Sequence, residues 1–95
     1  MKRIVKTSEQ VVGFASRLAP EQRRSIKLAL KELQEERGDI CSLEGNLSSY
    51  YRLRVGRFRI IFAYQQDGAI AVLYIEERRL VYELFEAQFI KRLKS

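Results

Sequence analysis

Histidine and tryptophan are absent from this chain, and cysteine, proline and methionine occur once each in 95 residues. Each scarcity excludes something. Without histidine there is no Ser/His or Cys/His nucleophile pair, no imidazole general base and none of the commonest zinc ligand sets. Any chemistry falls to Arg, Lys, Tyr or carboxylates, and neither a metal nor a cofactor is expected. The lone Cys41 cannot close an intramolecular disulfide and suits a reducing compartment, so cytoplasm is the expected location. Met1-Lys2-Arg3 is followed by no apolar run long enough for a signal peptide, and no stretch approaches the span of a membrane helix. No membrane partner is expected.

What is present is a folding chain. The sequence is 46% hydrophobic and 32% charged, richer in apolar residues than disordered segments are. Its length suits a single domain over 1–95, since a second core of useful size could not be built from it. The formal net charge of +6 favours an anionic partner, either a nucleic acid, whose binding releases counterions, or an acidic protein.

Residues 2–6 place Ile4 and Val5 between charges, as in a short edge strand. Thr7 and Gln10 then have capping-box spacing, and Val11, Phe14, Ala15 and Leu18 recur at helical intervals. Pro20 fits the first turn of a second helix with an apolar stripe of Ile26, Ala29, Leu30 and Leu33, and Gly38 is its stop signal. With so short a link, the two helices form an antiparallel hairpin facing one common surface. Residues 39–49 read as a loop anchored by Ile40, Leu43 and Leu47. Alternation over 50–55 and 58–64, and a β-branched and aromatic run over 69–75, give antiparallel strands with turns at Gly56-Arg57 and Asp67-Gly68. Val81, Phe85, Phe89 and Leu93 return to a helical period. The expected class is α+β, in the order β-α-α-β-β-β-α: an antiparallel sheet on an N-terminal helical hairpin, closed by a C-terminal helix.

Register turns this layout into a site. If Gly56-Arg57 is a two-residue turn, Val55 faces Phe58, Leu53 faces Ile60 and Arg54 faces Arg59. Tyr51, Leu53, Val55, Phe58, Ile60 and Phe62 then point at the helices, while Arg52, Arg54 and Arg59 share the open side. Like charges opposed in a ladder cost up to about 1 kcal/mol, a poor arrangement unless an anion sits between them. A two-residue turn at Asp67-Gly68 likewise sets Ile61 opposite Tyr74 and Arg59 opposite Glu76. Arg57 in the turn and Arg78, Arg79 and Tyr82 beyond the last strand border the same patch. Arginine forks match phosphate oxygens, and Tyr74 is a candidate for stacking on an unpaired base.

The stretch from Tyr50 to Phe62, reading YYRLRVGRFRIIF, together with Arg78 and Val81-Tyr82, resembles the RelE/ParE toxins of bacteria and archaea. The likeness covers nearly the whole chain, including the order of helices and strands. It implies one of two activities: cleavage of messenger RNA in the ribosomal A site, as in the RelE branch, or inhibition of DNA gyrase, as in the ParE branch. By the first, Arg52 and Arg54 match the basic pair of the first central strand, Arg59 the phosphate-binding arginine and Tyr82 the tyrosine ending the motif. Arg57, Tyr74, Arg78 and Arg79 would bind RNA. The resemblance also implies a cognate antitoxin, acidic and forming a hetero-oligomer with this chain, besides messenger RNA and the ribosome as partners.

Metal-independent cleavage of that kind has a ribose 2′-hydroxyl attack the adjacent phosphate, which needs a base, an acid and cations on the phosphorane. Guanidiniums serve the last role and cannot serve the first. Glu76 beside Arg59 and Tyr82 among arginines both remain candidates for the base. Plainer readings stand beside these: a solvated basic sheet face, Glu76 as a structural partner of Arg59, Tyr82 as a packing residue, or a phosphate-binding module without activity.

Overall fold

The computed structural model describes residues 2–77, so the expected final helix, and with it Arg78, Arg79 and Tyr82, lies outside the described residues. In chain order the elements are β1 (Val5–Thr7), α1 (Glu9–Ser16), α2 (Pro20–Leu33), β2 (Asp39–Ser42), a 3-10 turn (Gly45–Leu47), β3 (Tyr51–Val55), β4 (Phe58–Tyr64) and β5 (Ile70–Glu77).

The helical hairpin forms as expected, but its first cap shifts by one residue. Thr7 stays in β1 opposite Val72, and Ser8 is the N-cap, accepting from the Val11 N–H at 3.3 Å and donating to the Leu73 carbonyl at 2.8 Å. Gln10 therefore takes no part in a capping box with Thr7. Its amide donates to the Ile75 carbonyl at 2.8 Å and accepts from the Ile75 N–H at 2.9 Å. Because β1 stops pairing at Val72, the outer edge of β5 would otherwise be left open there, and Gln10 substitutes for the missing strand.

In α2, Pro20 fills a position where a missing N–H costs nothing, and Gln22 accepts from the Ala19 N–H at 3.3 Å. Ile26 and Leu33 are buried, with Ala29 and Leu30 packed against the same core. The helix ends at Leu33, ahead of the stop expected at Gly38; Glu36 adopts a left-handed φ of 59° in the turn that follows. Gly38 has another use. Its φ is 138°, and a Cβ there would lie 2.7 Å from the Leu53 Cδ1, so only glycine lets the chain run this close to β3.

That approach produces the first correction. Residues 39–42, read from sequence as loop, form strand β2 on the edge of β3, with Ile40 turned to the core. The second concerns strand direction: the sheet runs β1-β5-β4-β3-β2, antiparallel except for β1, which pairs parallel with β5. It is thus a mixed sheet, since both helices and three strands intervene between the parallel pair and carry the chain back to the same end.

One face of the sheet and the two helices enclose Val11, Ile26, Leu33, Leu53, Ile60, Phe62, Ile70, Val72 and Ile75, all at most 2% exposed, with Phe14 meeting Phe58 edge to face at 5.8 Å. Full burial of such a side chain stabilises by about 1.5–3 kcal/mol, so this layer holds the fold together. The other face carries a smaller apolar cluster, in which Leu47 of the 3-10 turn covers Ile61 and Tyr74, with Leu43, Tyr50 and Leu73 alongside. Among the described residues no helix is long and apolar enough to cross a membrane.

Candidate phosphate-binding face

Strands β3 and β4 meet as the sequence requires: Arg54 opposite Arg59, Leu53 opposite Ile60, Val55 opposite Phe58. Gly56 takes a φ of 56° while Arg57 does not take a positive one, the glycine-first pattern of a tight hairpin turn. Strands β4 and β5 also place Arg59 opposite Glu76 and Ile61 opposite Tyr74, but for a different reason than the turn chemistry suggested. Gln65 pairs with Ala69 through its N–H at 2.8 Å, so residues 66–68 make a three-residue connection, with Gly68 at φ 87°. A bulge between Ile61 and Phe62 leaves Leu73 without a partner in the ladder. The longer loop and the bulge displace the register by one residue each, in opposite senses, and cancel.

The result is a row across four strands, Asp39, Arg54, Arg59 and Glu76, in that order, on the side away from the helices. Cys41, Arg52, Ile61 and Tyr74 form the neighbouring row. Arg52, Arg54, Arg59, Glu76 and Tyr74 are therefore brought to one face. Arg57, expected to border the same patch, instead leans to the helix side, stacked over the Phe58 ring at 5.3 Å with its Nε 3.9 Å from Glu77, the residue opposite Phe58.

The cations are not bare, because Asp39, expected in a loop, reaches them from β2. One Asp39 oxygen lies 2.9 Å from Arg54 Nε and the other 3.3 Å from Arg52 Nη2. Asp39 and Arg54 are half exposed, so such a bridge contributes about 0.2–1 kcal/mol, comparable to the cost of setting Arg54 against Arg59. The two effects nearly cancel. Arg59 is 9% exposed and turns its Nη1 onto the carbonyls of Gly56 at 2.9 Å and Phe58 at 3.0 Å. Among the described residues no salt bridge joins Arg59 to Glu76; the half-buried Glu76 carboxylate accepts from the Glu77 N–H at 3.3 Å.

Tyr74 is 6% exposed, its ring packed with Leu47 and Ile61, so its face is not open to a stacked base as expected from the sequence. Burial first, then the Glu76 charge, push its hydroxyl above the usual tyrosine range, which keeps it protonated. It can donate a hydrogen bond or a proton, and is a poor base. Sequence reasoning missed Asp39, and read Leu47 as a loop anchor without its place over Tyr74. The only local signal for Asp39 was the alternation with Ile40 in a four-residue strand. No group of His, Cys, Asp and Glu among the described residues could hold a metal ion.

No family model and no curated protein matches this sequence. Solved structures do. The archaeal RelE–RelB complex from Pyrococcus horikoshii matches over 83% of this chain and 98% of the other, at 28% identity and a TM-score of 0.69. The RelB–RelE antitoxin–toxin complex from Methanococcus jannaschii matches over 83% and 96%, at 26% identity and a TM-score of 0.65. The fold is that of the RelE/ParE toxins. The YoeB/ParE toxin from Agrobacterium tumefaciens shares this RelE-like fold at 16% identity, over 82% of this chain and 99% of the other, with a TM-score of 0.63. On such a fold the row through Arg54 and Arg59 lies on the sheet face opposite the helical hairpin.

Proposed function

We propose that the chain is the toxin of a type II toxin–antitoxin system and a metal-independent endoribonuclease that cuts messenger RNA on the ribosome. The observation carrying this reading is the adjacency of Arg54 and Arg59 across the β3–β4 ladder, with Arg52 two residues along the same strand face and Glu76 next in the row. A ribose 2′-hydroxyl loses its proton to a base and attacks the neighbouring phosphorus. The bond to the 5′-oxygen breaks, and an acid protonates that oxygen, leaving a cyclic phosphate and a free 5′-hydroxyl. Guanidiniums stabilise the crowded, doubly charged phosphorane between these states.

Glu76 is the base candidate that the described residues offer, because its carboxylate faces Arg59 and is held by one weak backbone contact. Tyr82 is the other. Tyr74, kept protonated by burial, fits the donor's role. Arg78 and Arg79 would hold the flanking strand, and Arg57 could join them only by leaving Phe58 and Glu77. Five basic and two acidic residues fall in 78–95, so half of the net +6 belongs to that segment, which suits a polyanion or an acidic antitoxin lying near the end of β5.

The test is a primer-extension map of messenger RNA after induction without antitoxin. Codon-positioned cuts are expected, and loss of one phosphate-binding cation in Arg54→Ala should slow cleavage by about 10²–10³-fold. Cleavage indifferent to both Arg54→Ala and Arg59→Ala would refute the site. A second reading, inhibition of DNA gyrase by protein contact, draws on the likeness to a toxin bearing the ParE name and on the engagement of Arg52 and Arg54 by Asp39. DNA-damage signalling with intact messenger RNA would select it.

A further inference from the structure

The least expected group on this face is Asp39, and its geometry is that of a stand-in ligand. It enters from β2, placed by the close passage of Gly38 over Leu53, and offers one oxygen to each of two guanidiniums. Neither contact is a fork. Each guanidinium has five N–H donors, so a single carboxylate oxygen leaves most of them unused. Arg52 shows this directly: its side chain is 21% exposed, and its buried Nε has no hydrogen-bond partner among the described residues. The carboxylate also supplies one negative charge against two positive ones. An oxyanion with more oxygens and more charge would satisfy the pair better, while the half-exposed Asp39 can swing into water at little cost.

We infer that Asp39 is a positioning residue that holds Arg52 and Arg54 side by side as an internal anion, to be displaced by a backbone phosphate of the bound strand. This rests on the nuclease reading for the identity of the strand, but not for the exchange itself. The consequence is a built-in competition: the pair is kept aligned in the free protein, and binding must first release Asp39.

The experiment measures affinity for two probes, a 2′-O-methyl oligoribonucleotide that cannot be cleaved and inorganic pyrophosphate, in the wild type, Asp39→Asn, Arg54→Ala and the double variant. Removing the competing charge in Asp39→Asn should tighten both by about three- to tenfold. It should also steepen the salt dependence of oligonucleotide binding by about 0.7 in log–log slope, as one more cation becomes available. A merely structural aspartate would not move that slope. The gain should be smaller in the double variant, because Arg54 carries part of it and only Arg52 is then left to be released. Tighter pyrophosphate binding without oligonucleotide binding would sustain the exchange and sink the nuclease reading. Unchanged or weaker binding of both probes in Asp39→Asn would overturn the inference, as would pyrophosphate affinity left intact by Arg54→Ala in the otherwise wild-type chain, a measurement that does not depend on the Asp39 variant folding.

Discussion

Gln10 offers the sharpest test of how this fold holds its site. Its amide pairs both backbone groups of Ile75 on the outer edge of β5, at 2.8 and 2.9 Å. Glu76, of the candidate site, is the next residue of β5. Truncation in Gln10→Ala leaves one N–H and one carbonyl unpaired on the half-covered edge of β5. An unsatisfied buried group costs about 1–3 kcal/mol, and partial access of water puts the two together at about 2 kcal/mol. For a domain of this size each kcal/mol lowers the midpoint by about 4–8 °C, so a drop of about 8–16 °C is expected in a thermal melt followed by circular dichroism. Gln10→Glu sharpens the argument. An ionised carboxylate accepts from the Ile75 N–H but cannot donate to its carbonyl, whereas the protonated acid does both. Its penalty relative to the wild type at equal pH should therefore shrink as pH falls through the carboxyl range. A Gln10→Ala midpoint within about 2 °C of the wild type, against the shift expected from two lost bonds, would refute the edge-capping role.

Other expectations follow from single contacts. Gly38→Ala should destabilise the chain by about 1–3 kcal/mol in urea unfolding, since the new methyl meets Leu53 and the backbone conformation is strained for alanine. Arg54→Ala, by contrast, should change stability by less than about 1 kcal/mol while abolishing most of the proposed cleavage, because its one ion pair among the described residues is half exposed; a large loss of stability would mean that the face is structural. Above pH 10 stability should decline. Burial raises the hydroxyls of Tyr64 and Tyr74 above the unfolded value of 10.0, with a Glu36 hydrogen bond adding to it at Tyr64 and the Glu76 charge at Tyr74. The folded state therefore retains protons that the unfolded state gives up, and its advantage, complete below pH 10, is lost as pH rises through the folded values. Tyr74→Phe should flatten that decline, as read by urea midpoints across the alkaline range.

Local chemistry determined much of this protein from sequence alone. Turn glycine and alternation fixed the β3–β4 register, because a two-residue turn leaves no freedom in pairing and a slip would expose Leu53 and Ile60. Apolar stripes fixed the helical hairpin for the same reason. The absence of histidine confines any chemistry to Arg, Lys, Tyr and carboxylates. Register between β4 and β5 was legible only by accident, since the longer loop and the bulge at Leu73 compensate.

Tertiary structure alone decided the rest. The parallel pairing of β1 with β5 joins residues 65 positions apart and leaves no trace in a local pattern. Strand β2 has one inward apolar residue, Ile40, too little alternation to tell it from loop, yet it delivers Asp39 to Arg52 and Arg54. The covering of Tyr74 by Leu47 belongs to the same segment. Side-chain alternation says which residues share a face; what else arrives on that face depends on chain closure over long separations, where loop entropy and burial compete and no single residue carries the answer.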